Sequence, residues 1–353
     1  MNIKRIGIDL AKQVFQLHGV DNHEKVVLKK QLSRKKMLVY FQSLAPCLIG
    51  MEACGSSHYW ARELQKLGHT VKLMAPQFVK PYVKGNKNDT NDAEAICEAV
   101  SRPNMRFVSI KTVAQQDIQA VHRIRIGLVK QRTAKINQIR GLLAEYGIVE
   151  SKGVNVLRNA LLWILEDAEN GLSADFRILL EELRQDLIAL DERILTLTEK
   201  INVIAKADED AQRLQQIQGI GPITATAIIS AVGDGKQFKC GRDLAAWLGL
   251  TPKQHSSGGK ERLLGISKRG DAYLRTLLIH GARAVLRFSE MKTDSLNCWL
   301  QDLCDRRNKN IAAVALANKN ARIIWAILTK KTNYQRRWCI NNLKKTDALP
   351  RQI

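Results

Sequence analysis

Short alternating runs and helical patterns follow one another in the first third of the chain. Five β-rich runs read IKRIGIDL, VFQLHGVD, KVVLKKQL, CLIGME and TVKLMA. The spacing of apolar residues predicts helices near Lys35 to Leu44 and Ser57 to Leu67. The first three runs are close enough for an antiparallel meander, and the last two alternate with helices as parallel crossovers do. The pattern predicts a mixed α/β sheet with helices on its faces.

Helical periodicity dominates the middle of the chain. From Thr112 to Tyr146 there is no proline and the apolar residues recur at mostly helical spacing, which predicts one long helix. Its polar side is either a solvated face or a surface that contacts phosphates. The residues of this side are His122, Arg123, Arg125, Lys130, Arg132, Lys135 and Arg140.

A second helical segment has apolar residues that alternate steps of three and four without a gap. This is the a/d stripe of a coiled coil, and it predicts self-association as a dimer or a dimer of dimers. The alternative is that the stripe packs inside one subunit. Flanking charges such as Glu192 and Arg193 favour an exposed seam. The stripe consists of Leu180, Leu183, Leu187, Leu190, Ile194, Leu197, Ile201 and Ile204.

The run LQQIQGIGPITATAIISAVGD resembles a helix-hairpin-helix. Gly219 and Gly221 in its turn would let the backbone approach a phosphate, and the next helix would offer free N–H groups at its N-terminus. Such a contact would be independent of DNA sequence. A plain αα-hairpin is the alternative.

Two serines and two glycines follow in the run GLTPKQHSSGGK. A polar loop of this kind is most often a surface turn. Ser256 and Ser257 on a flexible cationic loop could also present a nucleophile to a phosphodiester. The basic residues close to them in sequence are Lys253, Lys260, Arg262, Lys268, Arg269 and Arg275.

The net charge of the chain indicates what kind of binding partner to expect. The 353 residues have a formal net charge of +22 and a pI near 9.8, and basic residues recur along the whole chain, so a polyanion is the expected partner. Nucleic acid is favoured over an anionic membrane, because no apolar run approaches the about 20 residues of a spanning helix and the N-terminus lacks a signal-peptide pattern. Seven scattered cysteines without a CxxC pair fit reduced thiols. These features predict a cytoplasmic protein.

Four carboxylates are the candidate chemistry. In the run GNKNDTNDAEAI, Asp89 and Asp92 begin a helical pattern, where Asp89 could cap the helix and Asp92 reach back as in a capping box. Asp9 ends the first predicted strand and Glu52 ends the fourth, so both could lie at one edge of the sheet, beneath the helix that carries the other two.

Converging carboxylates need cations between them. Two like charges 4 Å apart repel by roughly 4 kcal/mol at an effective dielectric of 20. Hard oxygen ligands select Mg²⁺ or Mn²⁺, and two such ions stabilise the entering and leaving oxygens at phosphorus. A basic chain with an acidic metal cage predicts phosphoryl transfer on nucleic acid.

The order of motifs GIDLAK, MEACGS, KNDTNDAEA, GIGPITA, GLTPKQHSSGGK and ISKRGDAYLR resembles the DEDD transposases of the IS-one-ten insertion-sequence family, relatives of the Piv DNA invertase. The likeness covers almost the whole chain. It implies a RuvC-like, RNase H-fold catalytic domain (1–111), a long basic helix and coiled coil (112–207), a mainly helical C-terminal transposase domain with the helix-hairpin-helix (208–335) and a basic tail (336–353).

The same resemblance implies residue roles and partners. Asp9, Glu52, Asp89 and Asp92 would be the tetrad that binds Mg²⁺ or Mn²⁺, and Ser257, or its neighbour Ser256, would form a covalent phosphoserine–DNA intermediate. A bridge RNA would pair with donor and target DNA, so the protein would read mostly backbone and shape. The low aromatic content of 5% accords with little base stacking. The basic helix is then the candidate RNA surface.

The residues alone are compatible with three alternative functions. A RuvC-type junction nuclease would use metal-activated water and no serine, against which the long C-terminal half with its serine loop counts. An actin-like ATPase or sugar kinase would use GIDLAK as a phosphate-binding turn, yet the chain lacks convincing further glycine-rich nucleotide motifs. A non-catalytic RNA- or DNA-binding protein would use its acids only as helix caps and solvated groups.

Overall fold

The structure is a computed structural model that describes residues 2–86 and 88–335. The chain forms two units. The first comprises the described residues up to Val113 together with Gly235–Lys239, and the second comprises Ala114–Asp234 and the described residues from Cys240 onward. The predicted basic tail, residues 336–353, lies outside the described residues. The predicted boundaries at residues 111 and 207 stay a prediction.

The first unit is built on a six-stranded mixed sheet. Its elements in chain order are β1 (Arg5–Leu10), β2 (Val14–Val20), β3 (Val26–Ser33), α1 (Met37–Gln42), β4 (Leu48–Glu52), α2 (Ser57–Lys66), β5 (Thr70–Met74), α3 (Pro76–Val79), α4 (Asp89–Ala99) and β6 (Phe107–Val108).

The strands lie in the order β3-β2-β1-β4-β5-β6. β2 pairs antiparallel with β1 and β3, whereas β4 pairs parallel with β1 and β5. The predicted meander and parallel crossovers are therefore confirmed, and with them the mixed α/β class. The last strand, β6, was not predicted, because its two residues are too few to show an alternation.

Alternation along the strands gives the sheet two covered faces. On one face Ile8, Leu17 and Met51 are fully buried in a core with Phe41 of α1 and Trp60 of α2. α4 covers the opposite face.

Glycine lets α4 lie directly on the strands. A Cβ added to Gly7 would overlap the carbonyl oxygen of Ala93, and one added to Gly50 would lie 2.8 Å from Cβ of Val100. Real Cβ atoms do not approach other atoms so closely, so side chains at these positions would displace α4. The position of α4 on the sheet thus depends on the absence of side chains at Gly7 and Gly50.

The second unit is mainly helical, with one two-stranded sheet. Its elements in chain order are α5 (Val113–Ala144), α6 (Val154–Glu166), α7 (Ala174–Ala207), α8 (Glu209–Gln215), α9 (Pro222–Val232), α10 (Gly241–Trp247), β7 (Pro252–Gln254), β8 (Leu263–Ile266), α11 (Ala272–Arg287), α12 (Ser295–Arg306) and α13 (Lys309–Lys330).

The two longest helices, α5 and α7, run antiparallel side by side. Residues later in α5 make polar contacts with residues earlier in α7, as expected for antiparallel helices. Ile136 and Ile139 of α5 also share an apolar cluster with Leu180 and Leu187 of α7. The polar pairs are Arg125 Nε to Thr198 Oγ1 at 2.8 Å, Arg132 Nη1 to Asp191 Oδ1 at 3.0 Å and Lys135 Nζ to Asp186 Oδ2 at 2.9 Å.

The predicted a/d stripe lies on α7, and its two halves have different surroundings. Leu180, Leu187, Ile194 and Ile201 are buried within the chain. The alternating residues are only half-buried: Leu183, Leu190, Leu197 and Ile204. One half of the stripe therefore packs inside its own subunit, which was the alternative left open by the sequence. A coiled coil between subunits stays a prediction.

The turn between α8 and α9 contains Gly219, whose φ is +88°. A Cβ there would lie 2.8 Å from the carbonyl oxygen of Gly281 in α11, so the missing side chain lets two backbones pack together. Gly221 is exposed and precedes the first turn of α9. Internal packing thus explains Gly219, and DNA contact by a helix-hairpin-helix stays a prediction.

α13 corrects one sequence expectation. The 22 residues Lys309–Lys330 are long and apolar enough to span a membrane by length and composition, whereas no run of this kind is expected from the sequence pattern. Half of its most apolar window is buried inside the protein. Ala313, Leu316, Ala317 and Leu328 are fully buried. The apolar character of α13 is thus explained by packing.

Candidate active site

Asp9 and Glu52 occupy neighbouring positions at one edge of the sheet. The parallel register pairs Ile8 with Met51, so the next residues along the two strands are Asp9 and Glu52. Both are half-buried at strand ends. Because strand side chains alternate, both lie on the face that α4 covers. The predicted convergence of these two acids at one edge is confirmed.

The direction of α4 brings its acidic end to the same edge. Arg5 Nε donates to the carbonyl oxygen of Cys97 at 3.0 Å, and Gly7 lies against Ala93. As β1 advances towards Asp9, the contacts therefore move towards the start of α4. Two strand residues span about 6.6 Å and four helical residues about 6 Å, which carries Asp89 to the level of Asp9.

Asp92 lies on the β4 and β5 side of this edge. It stands one turn before Ile96, which is fully buried in a cluster with Met74. Met74 is in turn the register partner of Glu52. Register and packing thus direct the first turn of α4, with Asp89 and Asp92, towards the edge at which Asp9 and Glu52 lie.

The helix cap differs from the prediction. Asn88, not Asp89, is the N-cap of α4, and its side-chain oxygen accepts from the backbone N–H of Asn91 at 2.7 Å. The backbone N–H of Asp92 bonds to the carbonyl oxygen of Asn88 at 3.0 Å. Within residues 2–86 and 88–335, the carboxylates of Asp89 and Asp92 have neither a hydrogen bond nor an ion pair. Capping therefore does not account for either acid.

The serine loop is a tight hairpin in the second unit. Ser257 and Lys260 form an isolated bridge, with the N–H of Lys260 bonded to the carbonyl oxygen of Ser257 at 3.1 Å. Gly258 and Gly259 between them have φ of +56° and +76°, the two positive values of a type I′ turn. Glycine adopts these left-handed conformations without strain, and Ser257 is exposed directly beside the tip of the hairpin.

The two serines differ in their contacts. Ser256 Oγ faces the backbone N–H of Arg262 across the hairpin, at 3.4 Å. In the described part of the chain, the hydroxyl of Ser257 has no hydrogen-bond partner, and its side chain is exposed.

Most basic residues of this region are exposed: Lys253, Lys260, Arg262, Lys268 and Arg269. Arg275 differs, because its Nη1 donates to the carbonyl oxygens of Leu248 at 3.1 Å and Arg269 at 3.0 Å. Its guanidinium thus stabilises the base of the hairpin. Contact with nucleic acid by any of these residues stays a prediction.

The basic side of α5 is divided in the same way. Arg123 and Lys130 are exposed, whereas Arg125, Arg132 and Lys135 are half-buried and bonded to α7. Arg140 is half-buried and donates to two backbone carbonyl oxygens, those of Ser151 at 2.8 Å and Gly153 at 2.9 Å. Only the first two have guanidinium or ammonium groups directed to solvent, so they are the better candidates for phosphate contact.

Two parts of the chain are similar to known transposase families. Residues 211–295 match the family described as "Transposase IS116/IS110/IS902 family", and residues 6–148 match the DEDD transposase family of IS110 elements. The probable family 20 transposase of Pseudomonas aeruginosa is 56% identical over 336 residues, which cover 95% of this chain and 99% of the relative. The chain belongs to the IS110 family of insertion-sequence transposases.

Two further relatives of this transposase are similar over nearly their whole length. The transposase for element IS1111A of Coxiella burnetii is 50% identical over 95% of this chain and 92% of the relative. The transposase for element IS1328 of Yersinia enterocolitica is 42% identical, over 95% and 99% respectively. Membership of the family implies DNA strand cleavage and transfer, and its DEDD type suggests the use of a divalent metal.

The acids of the transposase fit such a metal by chemistry more than by present geometry. Four carboxylates at one edge are the hard oxygen donors that Mg²⁺ and Mn²⁺ prefer. Among the described residues, however, no three His, Cys, Asp or Glu side chains are close enough together to hold a metal ion as they stand. Binding would therefore require some of these side chains to move.

Two neighbours of the acids were missed by sequence reasoning. Cys54 follows Glu52 by two residues and is exposed; desolvation first, and then the charges of Glu52 and Asp9, raise the pKa of its thiol. Gln16 is the register partner of Asp9 on β2. Counting residues back from the short turn between β1 and β2 could have identified Gln16, whereas nothing in the sequence pattern singles out Cys54.

Proposed function

We propose that this transposase is a bridge-RNA-guided DNA recombinase whose chemistry takes place at the acidic edge of the sheet. The observation that carries the proposal is that Asp9 and Glu52 lie beside each other on neighbouring strands, while α4, which covers the same face, begins with Asp89 and Asp92, whose carboxylates the described fold does not use. The mixed sheet with an acid ending a central strand supports the RuvC-like, RNase H-fold assignment of the first unit.

The four acids would hold Mg²⁺, or Mn²⁺ in its place. When bound, the metal supplies positive charge to the phosphate and lowers the pKa of a coordinated hydroxyl. The role of the acids themselves is to bind and orient. Asp9 and Glu52 are fixed by the paired strands, whereas Asp89 and Asp92 are carried on the first turn of α4, which Asn88 caps. Asp9 and Glu52 would therefore be the rigid ligands, and Asp89 and Asp92 the adjustable ones.

Ser257 would be the nucleophile. Its Oγ forms a bond to a DNA phosphorus while one of the two ester oxygens of that phosphate leaves. The serine proton is lost to solvent, and the departing oxygen takes up a proton to become a free hydroxyl of the cut strand. One ester is exchanged for another, so no ATP is required, and the free hydroxyl can later attack the phosphoserine. The exposed tip position and unoccupied hydroxyl support Ser257 over Ser256.

The proposed chemistry requires Ser257 and the acids to act together, within one subunit or between subunits. Trapping the covalent protein–DNA adduct tests the nucleophile. Ser257→Ala should abolish the adduct and recombination while leaving metal and RNA binding intact, and Ser256→Ala should retain them. The reverse result would assign the reaction to Ser256. A double substitution that still cuts DNA would favour the junction-nuclease alternative, with water as the nucleophile.

Mixing two inactive variants tests how the site is completed. Asp92→Asn should lose metal affinity and chemistry together, whereas Ser257→Ala keeps the acids. Recovered activity in a mixture would show a site shared between subunits, because each chain could supply the motif that the other lacks. If the mixture stays inactive, although the two chains assemble together, the site is completed within one chain.

The net charge of +22 and the exposed Arg123 and Lys130 support binding of a guide RNA through its backbone. The DNA sequence would then be chosen by base pairing between this RNA and the donor and target DNA. Sequencing RNA that copurifies with the protein tests this directly. Recovery of one RNA species encoded beside the transposase gene is expected, and recovery of only bulk cellular RNA would contradict guidance.

A surface of α5 and α7 supports self-association. Between the helices lies a groove of about 650 Å³, whose floor is opened by the small side chains of Ala134 and Ala189. Leu190, from the half-buried part of the stripe, also lines it. A helix of a second subunit would bury these residues, and a dimer or a dimer of dimers would follow.

A further inference from the structure

Gln16 lies directly beside Asp9 in the antiparallel register of β1 and β2. Directly opposed residues have Cβ atoms about 4.5–5.5 Å apart and face the same side of the sheet. Asp9 therefore has Gln16 on one flank and Glu52, on β4, on the other. Gln16 is the uncharged member of this row.

The amide of Gln16 is not used by the fold. The side chain is half-buried, and within residues 2–86 and 88–335 it has no hydrogen-bond partner. An amide offers two donors and an acceptor, so its whole capacity is available at the acidic edge. The next residue on the same face, His18, is buried under α4 and cannot contact a ligand. Gln31, the register partner of Gln16 on β3, is exposed one strand further from Asp9.

We propose that Gln16 is a substrate-positioning residue whose amide N–H donates to a phosphate oxygen of the DNA strand at the acidic edge. A strand that reaches Asp9 carries negative phosphates past several carboxylates. A neutral donor binds a phosphate oxygen and does not pair with Asp9 as strongly as a lysine or arginine would. The inference rests on the proposed function, because it assumes that the DNA is cut at the acids.

Single-turnover cleavage tests the proposal. The probe is a labelled DNA duplex that carries one end of the insertion sequence, and the protein is the full chain with its copurified RNA and Mg²⁺. Both the cleavage rate at saturating DNA and the DNA concentration for half-maximal rate are measured. Gln16→Leu should raise that concentration about tenfold or more, the effect of losing a hydrogen bond to a charged group, and leave the saturated rate within about threefold. Gln16→Glu should raise it further through repulsion.

Gln31→Leu is the matched control and should change neither quantity more than about twofold, because Gln31 lies one strand further from Asp9 than Gln16 does. Replacing single DNA phosphates by neutral groups gives a second measurement, which would not change if Gln16 had a purely structural role. A neutral methylphosphonate at the contacted phosphate should weaken binding to the wild type but add nothing to the defect of Gln16→Leu. Thermal melting checks that each variant is folded.

The possible results distinguish a failure of the Gln16 hypothesis from a failure of the proposed recombinase function. If Gln16→Leu behaves as Gln31→Leu does, or if it lowers only the saturated rate, Gln16 does not position DNA. If Gln16→Leu does not fold, Gln16→Glu, which keeps the size and polarity of the side chain, tests the hypothesis through its higher half-maximal DNA concentration. If Asp9→Asn still cuts DNA, the proposed function itself is wrong, whatever the Gln16 variants do.

Discussion

Gly7 in β1 lies against the carbonyl oxygen of Ala93 in α4, with no room for a Cβ between them. This contact sets the height of α4 above the sheet. It also sets the distance from Asp89 and Asp92, in the first turn of α4, to Asp9, two residues beyond Gly7. A residue without a side chain thus controls how near the first turn of α4 lies to the strand that carries Asp9.

Gly7→Ala should therefore displace α4 and weaken both folding and catalysis. Adding a methyl group to such a contact costs about 1–3 kcal/mol, measured as a lower free energy of unfolding in urea. DNA cleavage should fall more than stability alone explains, since α4 carries two of the acids. Gly55→Ala is the control, because a Cβ at Gly55 meets nothing within 4 Å. Equal stability of the two variants would mean that α4 does not lie where the structure has it.

Divalent metal should stabilise the first unit. Mg²⁺ at about 100 times its dissociation constant adds about 2.7 kcal/mol to the free energy of unfolding by mass action, so the melting temperature should rise. In Asp92→Asn the rise should be lost. Glu94→Gln is the control on the same helix, since Glu94 is paired with Lys84 at 3.5 Å. An unchanged rise in Asp92→Asn would remove Asp92 from the metal site.

The strand-end acids could be predicted because their position follows from local rules. β1 and β4 alternate clearly, and parallel neighbours end at the same edge, so Asp9 and Glu52 meet without any long-range information. The cap could not be predicted in the same way. Asn88 and Asp89 are both good N-caps, and the loop decides between them: Asn91 Nδ2 donates to the carbonyl oxygens of Lys84 at 3.1 Å and Asn86 at 2.8 Å.

The periodicity of α7 shows a different limit. A stripe of leucine and isoleucine predicts that a helix is buried along one side, but not what buries it. Half of the stripe is covered by the same chain, and the polar contacts that align α5 with α7 join residues 51 to 73 positions apart. Such pairings depend on the path of the chain through α6, which local patterns do not encode.

The two halves of the stripe should respond differently to substitution. Leu187→Ala removes a fully buried side chain and should cost about 2–5 kcal/mol of the free energy of unfolding. Leu190→Glu with Leu197→Glu changes half-buried residues and should lower the particle mass with a smaller loss of stability. Light scattering and thermal melting measure the two effects. An unchanged mass in the double variant would exclude this side of α7 as the subunit interface.

The basic helix should show a similar division. Arg123→Ala with Lys130→Ala removes two exposed cations, and if each contacts a phosphate the slope of log affinity for RNA against log salt falls by about 0.7 to 0.9 per residue. Arg132→Ala should instead lower stability, because its guanidinium is paired with Asp191 at 3.0 Å. Filter binding at several salt concentrations measures the slope. If affinity and slope are unchanged in the double variant, α5 is not the RNA surface.

His122 joins three helices of the second unit. Its Nδ1 lies 3.0 Å from Tyr273 Oη and its Nε2 lies 2.9 Å from Thr226 Oγ1. Because the Thr226 hydroxyl donates to the carbonyl oxygen of Pro222 at 2.8 Å, it accepts from Nε2–H. Nδ1 then accepts from the Tyr273 hydroxyl. Burial first, and the charge of Arg125 second, lower the pKa of His122 to about 4. The side chain is thus neutral at physiological pH.

This neutral histidine should make the second unit sensitive to acid. The unfolded chain, with an ordinary histidine pKa of about 6.5, takes up a proton at a higher pH than the folded chain, so the contribution of His122 is complete above pH 6.5 and is lost as the pH falls towards 4. The loss amounts to about 3 kcal/mol for a shift of this size. Urea unfolding between pH 7 and 4.5 should therefore show a steeper decline in the wild type than in His122→Gln, whose amide can bond to the same hydroxyls but does not titrate. His280→Gln, on the exposed side of α11, controls for the loss of any histidine. Parallel declines in the wild type and His122→Gln would mean that His122 is already protonated, or not buried, in the folded protein.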